Sequence, residues 1–175
     1  MKLKSIHVLR NIYESLEASV VALFCFILGN YLSSIAHDGK GYIDGIWCMI
    51  SALVVLQSFV AETLDSSKAR IAGTIMASII SGLCCIIFGY GYLSIFLSIT
   101  LSVLVMKLFK YSGGVRIATA TAAVITGYGF VKPEYSPVLN ATMRSLDTLI
   151  GVGVSILVVY ISYLVHFRKK DAIEI

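Results

Sequence analysis

Apolar residues fill this chain in six long runs, and polar residues are confined mainly to the short breaks between them. The runs cover residues 18–35, 46–60, 71–88, 93–109, 117–130 and 146–167. Apolar windows near bilayer-spanning length thus recur along nearly the whole chain, a pattern that predicts six transmembrane α-helices. Ahead of the first run, Ile6, Leu9, Ile12, Tyr13 and Leu16 recur at three-to-four spacing among Lys2, Lys4, Arg10, Glu14 and Glu17. Residues 1–17 therefore read as an amphipathic lead-in lying in the membrane interface and continuous with the first span.

The breaks carry turn chemistry. Residues 37–41 (HDGKG) and 89–92 (GYGY) are glycine turns, and 132–137 (KPEYSP) holds both prolines of the chain. The break after Val60 is different. It contains Glu62, Asp65, Lys68 and Arg70, both signs of charge at a membrane edge, and leads into a run rich in small residues. That stretch, residues 51–82, is read as a helix, a charged elbow and a second helix. At about 1.5 Å per residue, runs two and five reach only about 21–24 Å of a core near 30 Å. Each is the middle helix of a group of three, and short segments at matching places in two halves point to a transport site between repeats.

Composition sharpens the class. The 175 residues are 58% hydrophobic and 14% charged, against roughly a quarter charged in soluble domains. The fold class is an all-α membrane protein with a possible 3+3 inverted repeat. Its expected organisation is the lead-in at 1–17, a six-helix domain at 18–167 and a short basic tail at 168–175. An amino-terminal signal peptide is not expected, because the first run is long enough to be a retained span. Cys25, Cys48, Cys84 and Cys85 lie inside apolar runs without metal or redox spacing and read as small buried hydrophobes. His7, His37 and His166 fall in terminal or loop positions. No catalytic triad, paired acid, metal motif or phosphate loop occurs, so neither an enzyme nor a cofactor is expected.

Charge sets the expected topology. With six spans both termini share a side, which carries Lys2, Lys4, Arg10, Lys68, Arg70, Lys107, Lys110, Arg116, Arg168, Lys169 and Lys170. The other side carries Lys40, Lys132 and Arg144. The positive-inside rule then places both termini in the cytosol, in a multi-pass protein of the cytoplasmic (inner) membrane. The net charge of +4 reads as topology information, with the bilayer as partner and no nucleic acid.

The two halves echo each other in letters. The third run opens Arg70-Ile71-Ala72-Gly73-Thr74, and the sixth opens Arg144-Ser145-Leu146-Asp147-Thr148 with Gly151 and Gly153 beyond. In both, an Arg is followed four residues on by a Thr and then by a glycine-bearing face. An Arg beside the free N–H groups and positive dipole end of a helix would attract an anion. Arg70 and Arg116 could equally be topology anchors. Arg144 and Asp147, three residues apart, could neutralise one another, or Asp147 could titrate and free Arg144 for substrate. Small residues four apart (Gly73, Ala77 and Ser81; Thr119, Ala123 and Gly127; Gly151 and Ser155) suit close helix packing, a dimer seam or a narrow pore wall.

With these residues in hand, the chain resembles the fusaric acid resistance and aromatic acid exporter superfamily, whose membrane plan the aluminium-activated malate transporters share. The resemblance is carried by Trp47, by Val54-Val55-Leu56-Gln57, by the charged elbow, by Arg70-x-x-Gly73-Thr74 and by Arg144-x-x-Asp147-Thr148-x-x-Gly151. It covers about residues 8–168. It implies a six-helix domain that moves organic anions, often aromatic carboxylates, outward across the cytoplasmic membrane. Many relatives carry a cytosolic domain or a second six-helix block, so a homodimer is expected here. The resulting expectation is an exporter of small organic anions with Arg70, Gly73, Thr74, Arg144, Asp147, Thr148 and Gly151 as its substrate site. A passive anion channel and a non-transporting membrane scaffold are the alternatives.

Overall fold

A computed structural model describes the backbone of residues 2–36, 42–165 and 168, and their side chains apart from those of 2–9, 33, 36 and 42–44. The expected turn at 37–41, His37, His166, the side chain of His7 and the tail beyond Arg168 lie outside these described residues. Six helices follow in order: α1 (Lys2–Ala36), α2 (Tyr42–Val55), α3 (Val60–Phe88), α4 (Tyr92–Leu108), α5 (Ser112–Val131) and α6 (Pro137–Leu164). No β-strand occurs among the described residues. Sections of α1, α3, α5 and α6 are long and apolar enough to cross a membrane, while α2 and α4 are shorter apolar helices.

Three expectations about element boundaries are corrected. The charged stretch after Val60 is no elbow: it forms the opening turns of α3, and the chain breaks earlier, at residues 56–59. The reason is its periodicity. Thr63, Ser67 and Arg70 are buried along one face while Glu62, Asp65 and Lys68 stay exposed on the other, so mixed charge here marks an amphipathic helix. Glu62 in the first turn suits the positive end of the helix dipole. The Thr63 hydroxyl accepts the Gln57 N–H at 3.1 Å across the break.

The second correction concerns the arginines. Helix α6 begins at Pro137, a residue whose fixed φ and missing N–H suit a first helical position. Arg144 therefore lies about two turns inside α6, Arg70 nearly three turns inside α3, and Arg116 in the second turn of α5. The free N–H groups are at the helix starts, away from these side chains. The third correction concerns length. Helix α5 has 20 residues, about 30 Å, and the short helices are α2 with 14 and α4 with 17. The short helices are thus the second and fourth, not the second and fifth.

Contacts divide the chain into two compact units, and the boundary falls inside α3 and α6 rather than at the turn between α3 and α4. The first unit holds α1, α2, the opening of α3 and the second half of α6. Helices α1 and α2 pack together, with Val21, Cys25, Cys48 and Ala52 buried and Ile150, Val154 and Val158 against them. The second unit holds most of α3, then α4, α5 and the first half of α6. Helices α4 and α5 pack together around Ala77, Met106, Ala118 and Ala122. All four cysteines are buried and stand as thiols rather than disulfides.

Small residues set the helix spacing. A Cβ on Gly73 would lie 2.8 Å from the Gly114 carbonyl oxygen of α5, and one on Gly151 would lie 2.4 Å from the Cys48 carbonyl oxygen of α2. The buried face of α5 is Gly114, Ala118, Thr121, Ala122, Ile125, Thr126 and Gly129. Ala123, from the expected Thr119–Ala123–Gly127 stripe, is exposed. At the α3–α4 turn Gly89 takes φ +70°, a left-handed conformation that favours glycine.

Candidate functional site

Helices α3 and α6 bring the two echoing segments together. Thr74 and Thr148 are both buried, and the Thr148 hydroxyl donates to the Thr74 hydroxyl at 3.5 Å, a long hydrogen bond. One helical turn before each threonine stands an arginine, since Arg70 and Thr74, like Arg144 and Thr148, are four apart and share a face. Arg70 is 9% exposed and Arg144 6%. Burying a guanidinium is costly unless charge or hydrogen bonds compensate it. For Arg144 the compensation includes Asp147, whose Oδ2 lies 3.2 Å from Nη2, both side chains being 6% exposed. That Oδ2 makes no aligned hydrogen bond, so the pair is held by charge.

Two buried guanidiniums therefore share this unit with one buried carboxylate. Arg70 and the Arg144–Asp147 pair share this unit with the two hydroxyls, donors of the kind that suit an anion that also accepts hydrogen bonds. Of the expected site residues, Arg70, Thr74, Arg144, Asp147 and Thr148 form this constellation. Gly73 and Gly151 instead turn their Cα faces to α5 and α2, which is the packing role. Arg116 is exposed.

An open groove runs along the same two helices. Ser78, Ile79, Gly82, Leu83 and Ile86 form its α3 wall, and Val138, Ala141, Thr142 and Ser145 its α6 wall. Deeper in the second unit, Asn140 donates from Nδ2 to the Ile125 carbonyl at 2.9 Å, satisfying an amide buried near the start of α6. The Tyr90 hydroxyl donates to the Tyr135 carbonyl at 3.0 Å, joining the α3–α4 turn to the segment before α6.

The echo extends well beyond the letters. At one constant spacing, buried Ser67, Arg70, Gly73, Thr74, Ala77, Ser78 and Ser81 of α3 match buried Ala141, Arg144, Asp147, Thr148, Gly151, Val152 and Ser155 of α6. Cys48, Ser51, Ala52 and Val55 of α2 match Ala118, Thr121, Ala122 and Ile125 of α5 in the same way. Glu17, Val21, Cys25 and Gly29 of α1 match Ser94, Ser98, Ser102 and Met106 of α4. Matching by letters could not find the α1–α4 set, because burial repeats there while residue type does not.

Sequence reasoning also passed over a polar cluster in the first unit. Glu17 belonged to the interfacial lead-in and Arg168 to the basic tail, yet both are buried and joined by a 2.7 Å ion pair. The only sequence signal was the period-four row Glu17, Val21, Cys25 and Gly29, which puts the acid in line with core positions.

No curated protein and no solved structure matches the chain. The family model for fusaric acid resistance protein-like proteins matches residues 20–158, a range that takes in α2 to α5 whole and most of α6. A multi-pass helical membrane protein of transport type, this chain belongs to the fusaric acid resistance protein-like family.

Proposed function

We propose that the protein is a homodimeric exporter of small organic anions, aromatic carboxylates in particular, in the cytoplasmic membrane. Arg70 and Arg144 supply positive charge, Thr74 and Thr148 supply hydroxyls to the carboxylate, and Asp147 balances Arg144 between substrate cycles. The observation that carries this reading is the meeting of Thr74 with Thr148, each one turn from a buried arginine. A carboxylate entering there exchanges its hydration for charge-assisted hydrogen bonds, and an aromatic ring suits the apolar groove walls.

All six helices cross the bilayer in this reading, as two inverted groups of three with both termini cytosolic. Matched burial between α1 and α4, α2 and α5, and α3 and α6 supports the repeat. The composition of the two units supports it too, since each pairs a helical hairpin with one half of α3 and one half of α6. An odd number of spans per half inverts the second group, and sites of secondary transporters with such repeats lie near the bilayer midplane.

The test is benzoate efflux from proteoliposomes. Arg70→Ala and the double variant Arg144→Ala/Asp147→Ala should each lose most of the flux, the double variant avoiding a stranded carboxylate. Robust flux that survives both changes sinks this mechanism. Single-channel currents carried by benzoate in planar bilayers would make the protein a channel instead.

A further inference from the structure

The cluster around Glu17 joins four separate pieces of chain within the first unit. Its carboxylate Oε2 accepts Arg168 Nη2 at 2.7 Å and Nε at 3.0 Å. Oε1 accepts the Ser162 hydroxyl at 2.5 Å. With its proton spent on Glu17, the Ser162 oxygen accepts the Tyr13 hydroxyl at 3.0 Å. Arg168 Nη1 donates to the Gln57 carbonyl, in the non-helical link between α2 and α3. The same link is gripped a second time, where the Ser58 hydroxyl donates to Glu14 Oε2 at 3.0 Å.

This is more than a surface ion pair. The Arg168 and Glu17 side chains are 2% and 5% exposed, and every polar atom of the pair's contact has a partner. Buried ion pairs contribute little net stability over an apolar replacement, and their best-attested use is to specify one arrangement among several. What this one specifies is the separation of two helix ends. It holds the link that starts α3 to the end of α6, and the middles of those two helices carry Arg70, Thr74, Arg144 and Thr148. At the other ends of α3 and α6 the corresponding tie is neutral, the Tyr90 hydroxyl on the Tyr135 carbonyl.

We infer that Glu17 and Arg168 form a gate latch. Closed, it fixes the start of α3 against the end of α6; transport requires the pair to separate and hydrate so that these ends part. The pair touches no substrate and acts by positioning the two helices that carry the site. The inference rests on the transport reading above, so it is tested with one readout that uses flux and one that does not.

The flux experiment places Glu17→Cys and Arg168→Cys together in protein whose four native cysteines are replaced by Ala. The two are bridged with a short bis-methanethiosulfonate, and benzoate efflux is measured before and after reduction. The latch predicts that bridging stops efflux and that reduction restores it. Bridged protein that transports like the reduced form overturns it, because a static staple can be made permanent without harm. So does failure of the buried thiols to bridge, which would mean the pair never opens.

The second readout is hydrogen exchange in full-length protein without substrate. Glu17→Gln and Arg168→Gln should each speed exchange across residues 56–63 and leave α4 and α5 unchanged, and the charge swap Glu17→Arg/Arg168→Glu should restore protection. Unaltered exchange at the link in both single variants overturns the latch. Loss of benzoate efflux in the unmodified protein, with exchange responding as expected, instead overturns the substrate assignment and leaves the latch standing.

Discussion

The hydroxyls of Thr74 and Thr148 meet at 3.5 Å, linking the third and sixth helices at the two positions where the sequence repeats itself. A threonine on each helix is the smallest side chain that both packs like valine and offers a hydroxyl. Thr→Val substitution keeps the shape and removes the polar group, and removing both partners of a long hydrogen bond costs little. The Thr74→Val/Thr148→Val protein is expected to unfold in detergent within about 1 kcal/mol of the parent. It should lose most of its benzoate efflux. Equal efflux in the double variant would assign the hydroxyls to packing alone.

The glycines beside these threonines are expected to answer in stability first. A methyl group on Gly151 would press on the Cys48 carbonyl and the Ala52 nitrogen, both backbone atoms that cannot rotate away. One on Gly73 would press on the Gly114 carbonyl and on Ile117. Gly151→Ala and Gly73→Ala should each destabilise by about 1–3 kcal/mol, the cost of overpacking. Gly153→Ala is the control, because its Cβ would meet nothing. Thermal unfolding of the three variants in one detergent checks the order.

How much of this was legible depended on which physical signal each feature leaves in the sequence. Six helices follow directly from apolar runs between turn residues. The pairing of Thr74 with Thr148 was foreshadowed because two short segments share letters. The break between α2 and α3 was misplaced because charge was read as a turn signal, although Thr63, Ser67 and Arg70 already recur at helical spacing. Glu17 and Arg168 were hidden for a different reason: an ion pair joining residues this far apart leaves no local pattern. The corrected α3 start has its own consequence. Amides of residues 64–70 should be protected from exchange as helix, and more strongly than those of the link at 56–59. A uniformly fast stretch from 56 to 70 would restore the elbow.

Tyr90, in the turn between α3 and α4, gives a pH prediction. Burial raises its ionisation above the ordinary value of 10.0, nearby Cys85 raises it further, and a hydrogen bond with Asn140 opposes them. The folded state thus favours the neutral phenol, which donates to the Tyr135 carbonyl. For an acid whose folded value is raised, this stability is fully present below the unfolded value and is lost as pH rises through the folded one. Melting temperature should therefore carry a Tyr90 contribution at neutral pH that fades above about pH 10. Tyr90→Phe should melt lower at neutral pH, and the gap to the parent should close in alkali. A gap that stays constant with pH would place the hydrogen bond outside the energetics of this turn.

The Arg144–Asp147 pair separates a charge-balancing role from a substrate role. Asp147→Asn keeps the size of the side chain and removes the charge 3.2 Å from the Arg144 guanidinium. Stranding a buried charge in this way costs roughly 3–5 kcal/mol, whereas replacing both members by apolar residues of similar volume is often neutral. Asp147→Asn should consequently be among the least stable single variants, and Arg144→Met/Asp147→Leu should regain most of the loss. Chemical unfolding of both in the same lipid–detergent mixture measures this. If the pair serves only to balance charge, the double variant regains efflux with stability. If Arg144 takes the anion, stability returns and efflux does not, and the second outcome is the one expected for a site built from two buried arginines and two facing hydroxyls.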